Sequence, residues 1–282
     1  MTHSDDQRLT PDGTSLGVRT FAGQGDLVVG LHGFTGNGAT MQPLIEAVRG
    51  ERRALLIDCI GHGASDAPAH LEPYEMNSVV DQYLSIIGHQ PPGSVHLIGY
   101  SMGGRIALSM AARAPWYFAS ITILSATPGL SDPVERAARH EADQTLANRI
   151  EADGVEAFLD WWLERPIFAP MVAKLDPAQL AATRTQRMSA HATGLANSLR
   201  GTGTGSMSPV WPMLAALRSP LLALAGELDA TYVDIAEQIA QAAPFGRFEV
   251  IPSAGHALHV ENPDAVSHLV GDFLEGCDPG AP

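Results

Sequence analysis

The chain has 282 residues, of which 45% are hydrophobic and 17% charged, and its formal net charge is −14 at pH 7. Ample apolar material and a charged fraction below the roughly 25% of average globular proteins exclude a disordered or solvating chain. The acid excess, with no Lys/Arg cluster of the kind that tracks phosphates, argues against nucleic acid or an anionic membrane surface as partner, but says little about a substrate, because local charge in a pocket can oppose net charge.

The length fits two domains or one large α/β domain carrying an insertion. Two cysteines, Cys59 and Cys277, make neither a disulfide framework nor a metal-ligand pattern, so two thiols in a reducing compartment are expected. Residues 1–11 are polar and lack the apolar core of a signal peptide. No apolar run approaches the ~20 residues needed to span a bilayer. Cytoplasmic residence without membrane insertion is therefore expected.

In chain order, short apolar runs at 27–31, 54–58, 94–99, 121–125, 220–226 and 248–252 alternate with helical segments. Continuous apolar strands of this kind predict a mostly parallel sheet covered by helices on both faces. The first run ends in His32-Gly33-Phe34-Thr35-Gly36, and the second leads into Gly61-His62-Gly63, which a tight turn explains. The third is followed at once by a helical stretch over 103–114. Between 131 and 211 the strand runs stop, and helices are predicted at 133–152, 155–164, 177–186 and around Leu195. The expected organisation is thus an α/β core over 1–130 and 212–282 with a helical cap over 131–211, placed above the strand ends where open α/β sheets bind ligands. The tail 276–282 is expected to fray.

The chemistry centres on Gly99-Tyr100-Ser101-Met102-Gly103. A Gly-x-Ser-x-Gly between a strand and a helix predicts a nucleophile elbow, a tight turn that lifts the serine Oγ clear of the sheet and needs nearly bare flanking positions. A serine hydroxyl is unreactive unless a neighbour takes its proton. His256, after the run at 248–252, is the expected base, and Asp229, after the run at 220–226, is expected to hold the imidazole in the required tautomer. Their chain order is that of an α/β-hydrolase fold. Glu227 and Asp234 are rival carboxylates. The backbone N–H groups of Phe34 and Met102 are the expected oxyanion donors. His32 reads as a histidine that braces its loop.

Beyond these segments, the chain carries Gly104-Arg105, Pro128-Gly129-Leu130, Glu135-Arg136, Arg139-x-x-x-Asp143, Trp162-x-x-x-Pro166-x-Phe168, Gly194-Leu195-Ala196, Gly203-Thr204-Gly205 and Glu261-Asn262-Pro263. With them it resembles the MenH-type 2-succinyl-6-hydroxy-2,4-cyclohexadiene-1-carboxylate synthases of the α/β-hydrolase superfamily. The resemblance implies a carbon–oxygen lyase of menaquinone biosynthesis that eliminates pyruvate from a cyclohexene tricarboxylate. Ser101, activated by His256, would then act as a base on a ring proton, with no metal or organic cofactor. A small polycarboxylate substrate needs fixed cations, and guanidinium groups suit it. Arg105 and Arg139 are the expected binders, with Tyr100 as a hydrogen-bond donor, Trp162 as a cap-side wall, and Arg187 or Arg200 as a third cation. A carboxylesterase or carbon–carbon hydrolase acting through a Ser101 nucleophile is the alternative. Monomer and homodimer both stay open.

Overall fold

Apolar runs too short for helices are stable only when other layers cover both their faces, and here such runs become the middle of one sheet. The structure, a computed structural model, describes residues 4–277. Residues 278–282 of the tail expected to fray lie outside the described residues.

The first half of the chain forms β1 (Ser4–Leu9), β2 (Leu16–Phe21), β3 (Gln24–Leu31), α1 (Gly38–Val48), β4 (Arg52–Ile57), α2 (Met76–Ile87), β5 (Val95–Tyr100), α3 (Met102–Arg113) and β6 (Ser120–Leu124). There follow α4 (Pro133–Leu163), α5 (Ala169–Lys174), α6 (Pro177–Arg187), α7 (Ala192–Thr202) and α8 (Trp211–Leu214). The chain then returns to the sheet with β7 (Leu221–Gly226), α9 (Ala230–Ala242), β8 (Gly246–Ile251), α10 (Leu258–Glu261) and α11 (Pro263–Glu275).

The sheet has eight strands in the order β1-β2-β4-β3-β5-β6-β7-β8. The β1–β2 and β2–β4 pairs are antiparallel, and all other pairs are parallel. Every residue of β5, β6 and β7 is buried, which is why these strands read as unbroken apolar runs. One face packs Ile45 of α1 and Val266 and Val270 of α11 onto Leu56 and Ile98. The other packs Tyr83 of α2, Ile106 of α3 and Ile239 of α9 onto Leu97 and Ile123.

Two strands, β1 and β2, escape the sequence reading, because both precede the first apolar run at 27–31. β1 (Ser-Asp-Asp-Gln-Arg-Leu) is exposed along nearly its whole length, so it has no apolar alternation to reveal it. It exists because β2 presents a free edge and pairs with it from Ser4↔Phe21 to Leu9↔Leu16. The helices expected at 133–152 and 155–164 are two arms of α4, bent at Gly154, whose φ of 78° breaks the helical run.

The helices α4 to α8 stand between β6 and β7, at the carboxyl ends of the parallel strands. They have a small core of their own: Ala147, Ile150, Phe158, Leu159, Leu195 and Leu199, joined to the sheet side by Phe34. The loop after β4 meets α7 backbone to backbone. A Cβ on Gly61 would lie 2.5 Å from the Gly194 carbonyl oxygen, and one on Gly194 would lie 2.4 Å from that of Gly61. The Gly61 turn is therefore a packing requirement as well as a chain reversal. Among the described residues no helix is long and apolar enough to cross a membrane.

Adding a methyl at this contact forces the two segments apart. Gly194→Ala is expected to lower unfolding stability by about 1–3 kcal/mol, the usual cost of overpacking. In urea denaturation this would show as a lower midpoint with an unchanged slope.

Candidate active site

Ser101 stands between β5 and α3 at φ 50°, ψ −107°, a backbone conformation rare outside glycine. Holding a serine there costs on the order of 1–3 kcal/mol. The neighbours make the turn possible. A Cβ on Gly99 would lie 2.4 Å from the Gly103 carbonyl oxygen, and one on Gly103 would lie 2.2 Å from that of Leu31. Ser101 is itself pinned, its N–H donating to the Leu124 carbonyl at 2.9 Å.

The structure brings the three expected side chains together. His256 Nε2 lies 3.0 Å from Ser101 Oγ, and its Nδ1 lies 2.9 Å from Asp229 Oδ2. With Nδ1 donating to the carboxylate, Nε2 is left free to accept from the serine hydroxyl. Asp229 comes from the turn that opens α9, and His256 from the loop between β8 and α10. The rival carboxylates are elsewhere: Glu227 accepts the Ser253 N–H at 2.7 Å, and Asp234 is exposed.

Met102 opens α3, so its N–H has no intrahelical acceptor. The Phe34 N–H has no protein acceptor among the described residues. These two groups flank the elbow because the Gly103 N–H donates to the His32 carbonyl at 3.0 Å and so docks the start of α3 on the end of β3. His32 is fully buried, holds the Gly33 carbonyl at 2.8 Å and accepts the Cys59 N–H at 2.9 Å. Burial depresses it to about 4, so at neutral pH it is a neutral brace. Two further buried imidazoles, His62 and His259, are each pushed down to about 3, also by burial.

Arginines surround this centre. Arg105 is buried, donates from one Nη to the Thr202 carbonyl at 3.1 Å, and leaves Nε without a partner. Burial lowers its guanidinium to about 10. Arg187 is buried too, bonded to Thr35 Oγ1, with its Nε unpartnered. Burial lowers it as well. Neither has a carboxylate partner among the described residues. Arg139 differs: it is half-exposed and paired with Asp143 at 2.8 Å, and Asp143 also accepts the Gly205 N–H at 3.2 Å. Arg200 is fully engaged, with a two-pronged bond to Glu151 at 2.8 Å. Of the two candidates for a third cation, Arg187 is therefore the one at the site.

The Tyr100 ring is buried behind the elbow, 4.4 Å from the His259 ring and 5.6 Å from that of His256. The adjacent tryptophans divide. Trp161 lies 6.0 Å from the Phe158 ring with the guanidinium groups of Arg149 and Arg165 over its own. Trp162 turns inward, edge-on to Phe34 at 5.7 Å and stacked on Phe158 at 5.7 Å, with its indole N–H buried and unpartnered.

Sequence reasoning missed Tyr232. Its ring stands edge-on to His256 at 4.7 Å. Burial raises its phenol, as does the Asp229 charge, while the Arg105 and Arg139 charges pull it down. The signal was its place three residues after Asp229 at the start of a helix, which puts both on one face. No group of three or more His, Cys, Asp or Glu side chains among the described residues is placed to hold a metal ion.

A sheet of this topology with a strained serine, a histidine and a strand-end aspartate defines the class. The profile of the alpha/beta hydrolase family matches residues 28–269, and the chain belongs to this family. Within it, the chain is 36% identical over 249 residues to a Bacillus subtilis (strain 168) protein provisionally named 2-succinyl-6-hydroxy-2,4-cyclohexadiene-1-carboxylate synthase, covering 88% of this chain and 90% of that one. It is 31% identical over 263 residues to the synthase of that name from Photorhabdus laumondii, covering 92% and 90%. The solved structure of MenH from S. aureus superposes with a TM-score of 0.85 at 28% identity, over 92% of this chain and 98% of that one.

The buried imidazoles make stability depend on pH. His32, His62 and His259 have folded-state values of about 4, 3 and 3 against an ordinary 6.5, so above pH 6.5 they are neutral folded and unfolded alike. Below it only the unfolded chain takes up their protons, and stability falls as pH falls. Urea midpoints between pH 6.5 and 4.5 are expected to decline, with an uptake of roughly two to three protons on unfolding near pH 5.5 from these groups.

Proposed function

We propose that this chain is a 2-succinyl-6-hydroxy-2,4-cyclohexadiene-1-carboxylate synthase of menaquinone biosynthesis, a lyase that uses the Ser101–His256–Asp229 relay as a base. His256 Nε2 takes the Ser101 proton, and the resulting alkoxide removes a proton from the substrate ring. The freed electron pair forms the new ring double bond, the bond from carbon to the pyruvyl oxygen breaks, and the enolate so released takes the proton held on the His256 imidazolium and leaves as pyruvate, which restores the neutral relay. The N–H groups of Phe34 and Met102 stabilise the negative charge that develops on the adjacent carbonyl oxygen.

The observation that carries this reading is the pair of buried guanidinium groups, Arg105 and Arg187, with no carboxylate partner among the described residues. Two uncompensated buried cations are costly to a fold. A neutral ester would leave them uncompensated, whereas a substrate with several carboxylates neutralises them as it binds. Arg139, Tyr232, Tyr100 and the Trp162 N–H complete the recognition of that substrate. Residues 131–211 act as the cap that shuts water out above Ser101, and residues 1–130 and 212–282 act as the core. The enzyme works in the cytoplasm, as a monomer or homodimer.

Purified protein is expected to release pyruvate from the pathway intermediate, with Ser101→Ala losing about 10³-fold or more in kcat. Arg105→Ala and Arg187→Ala are each expected to lower kcat/KM by about 10- to 100-fold, the worth of a hydrogen bond to a charged group. Rapid hydrolysis of p-nitrophenyl esters, no pyruvate, and indifference to Arg105→Glu would overturn the reading in favour of an esterase. Tyr232→Phe keeps the ring and removes only the hydroxyl. It is expected to raise KM about tenfold in the same pyruvate assay.

A further inference from the structure

Glu261 is a buried carboxylate, 5% exposed, with no Lys, Arg or His side chain paired to it among the described residues. Its two oxygens are nonetheless both occupied. Oε2 accepts the N–H of Gly255, and Oε1 accepts the N–H of Ala257 at 3.0 Å. These are the residues on either side of His256, so one side chain grips both peptide units that carry the imidazole. Hydrogen bonds from backbone N–H to a carboxylate are charge-assisted and short-ranged, which makes the grip directional.

The same grip is tied to the inserted helices. Lys174, the last residue of α5, donates from Nζ to the Glu261 carbonyl at 2.8 Å. Pro170 of α5 lies over Gly255 so closely that a Cβ there would sit 2.7 Å from its Cγ. On the far side, the Asn262 amide donates to the Pro252 carbonyl at 3.0 Å, closing the base of the loop. The Ser101 pairing needs His256 Nε2 at hydrogen-bond distance, yet His256 sits on a loop, where the backbone is otherwise least constrained.

We propose that Glu261 is the positioning residue of His256: its carboxylate holds the two flanking amides and thereby sets the distance from Nε2 to Ser101 Oγ, with Lys174 and Pro170 registering that loop against the inserted helices. The inference rests on the reading that His256 deprotonates Ser101. A displacement of about 1 Å at a reacting group can cost on the order of 100-fold in rate, so the effect falls on chemistry and leaves the arginines that bind substrate untouched.

The test follows the labelling of Ser101 by a fluorophosphonate, which needs the activated hydroxyl but not the natural substrate, beside kcat, KM and Tm for pyruvate release. Glu261→Ala is expected to slow labelling about 100-fold, with kcat falling in proportion and KM within twofold. Glu261→Gln still accepts one N–H and is expected to restore labelling to within about tenfold of the parent. If Glu261→Ala does not fold, Glu261→Gln and Lys174→Met carry the test, each expected to label several-fold more slowly at unchanged KM. Parental labelling rates per titrated site in the folded variants, with only Tm lowered, would overturn the proposal and leave Glu261 a purely stabilising group. Parental labelling in His256→Ala would instead overturn the activation of Ser101 itself, so the two failures are distinguishable.

Discussion

The site depends on how closely the start of α3 approaches the end of β3. The Gly103 N–H reaches the His32 carbonyl at 3.0 Å, and a side chain on Gly103 would strike the Leu31 carbonyl oxygen at 2.2 Å. This one backbone contact holds Ser101 at positive φ and turns its Oγ out of the sheet. It also sets the Met102 N–H beside the loop that carries Phe34. The turn alone would relax, but packing on both sides of the central strands over-determines it.

Charge is arranged around this turn against the trend of the whole molecule. The chain carries −14, yet the buried residues of the site include Arg105 and Arg187, which have no carboxylate partner among the described residues. Burial makes both less willing to stay charged, Arg105 down to about 10. A fold selected for stability alone would have paired or removed them. Asp143, whose charge is felt by Arg105, is taken by Arg139 and by the Gly205 amide. Local positive potential under a negative surface is how a site concentrates a small anion without making the protein generally anion-binding.

The inserted helices do more than cover the strand ends. Through Phe34 their aromatic cluster rests on the loop after β3, through Gly194 they lie on the turn after β4, and through α5 they touch the loop of His256. A shift of these helices would therefore be felt at the loop of Phe34, the turn after β4 and the loop of His256 together. A rigid sheet edge and an inserted layer thus share the work of placing three side chains that are 128 and 27 residues apart along the chain (101 to 229, and 229 to 256).

The amino-acid sequence by itself determined the parts whose physics is local. Strands buried on both faces read as apolar runs, the elbow read as Gly-x-Ser-x-Gly between a strand and a helix, and the strand-end positions of Asp229 and His256 followed from the same runs. What only the tertiary structure decided depends on which distant surfaces meet. β1 has no pattern of its own and is a strand because β2 offers an edge. Arg187 and Arg200 look alike in sequence, but one is buried beside Thr35 and the other is spent on Glu151. Tyr232 and Glu261 sit in ordinary helical turns, and only the fold brings one to the imidazole face and the other to the amides behind it. Burial and partnership are properties of the assembled molecule, so the charge that remains free to meet a ligand can be known only once the fold has used up the rest.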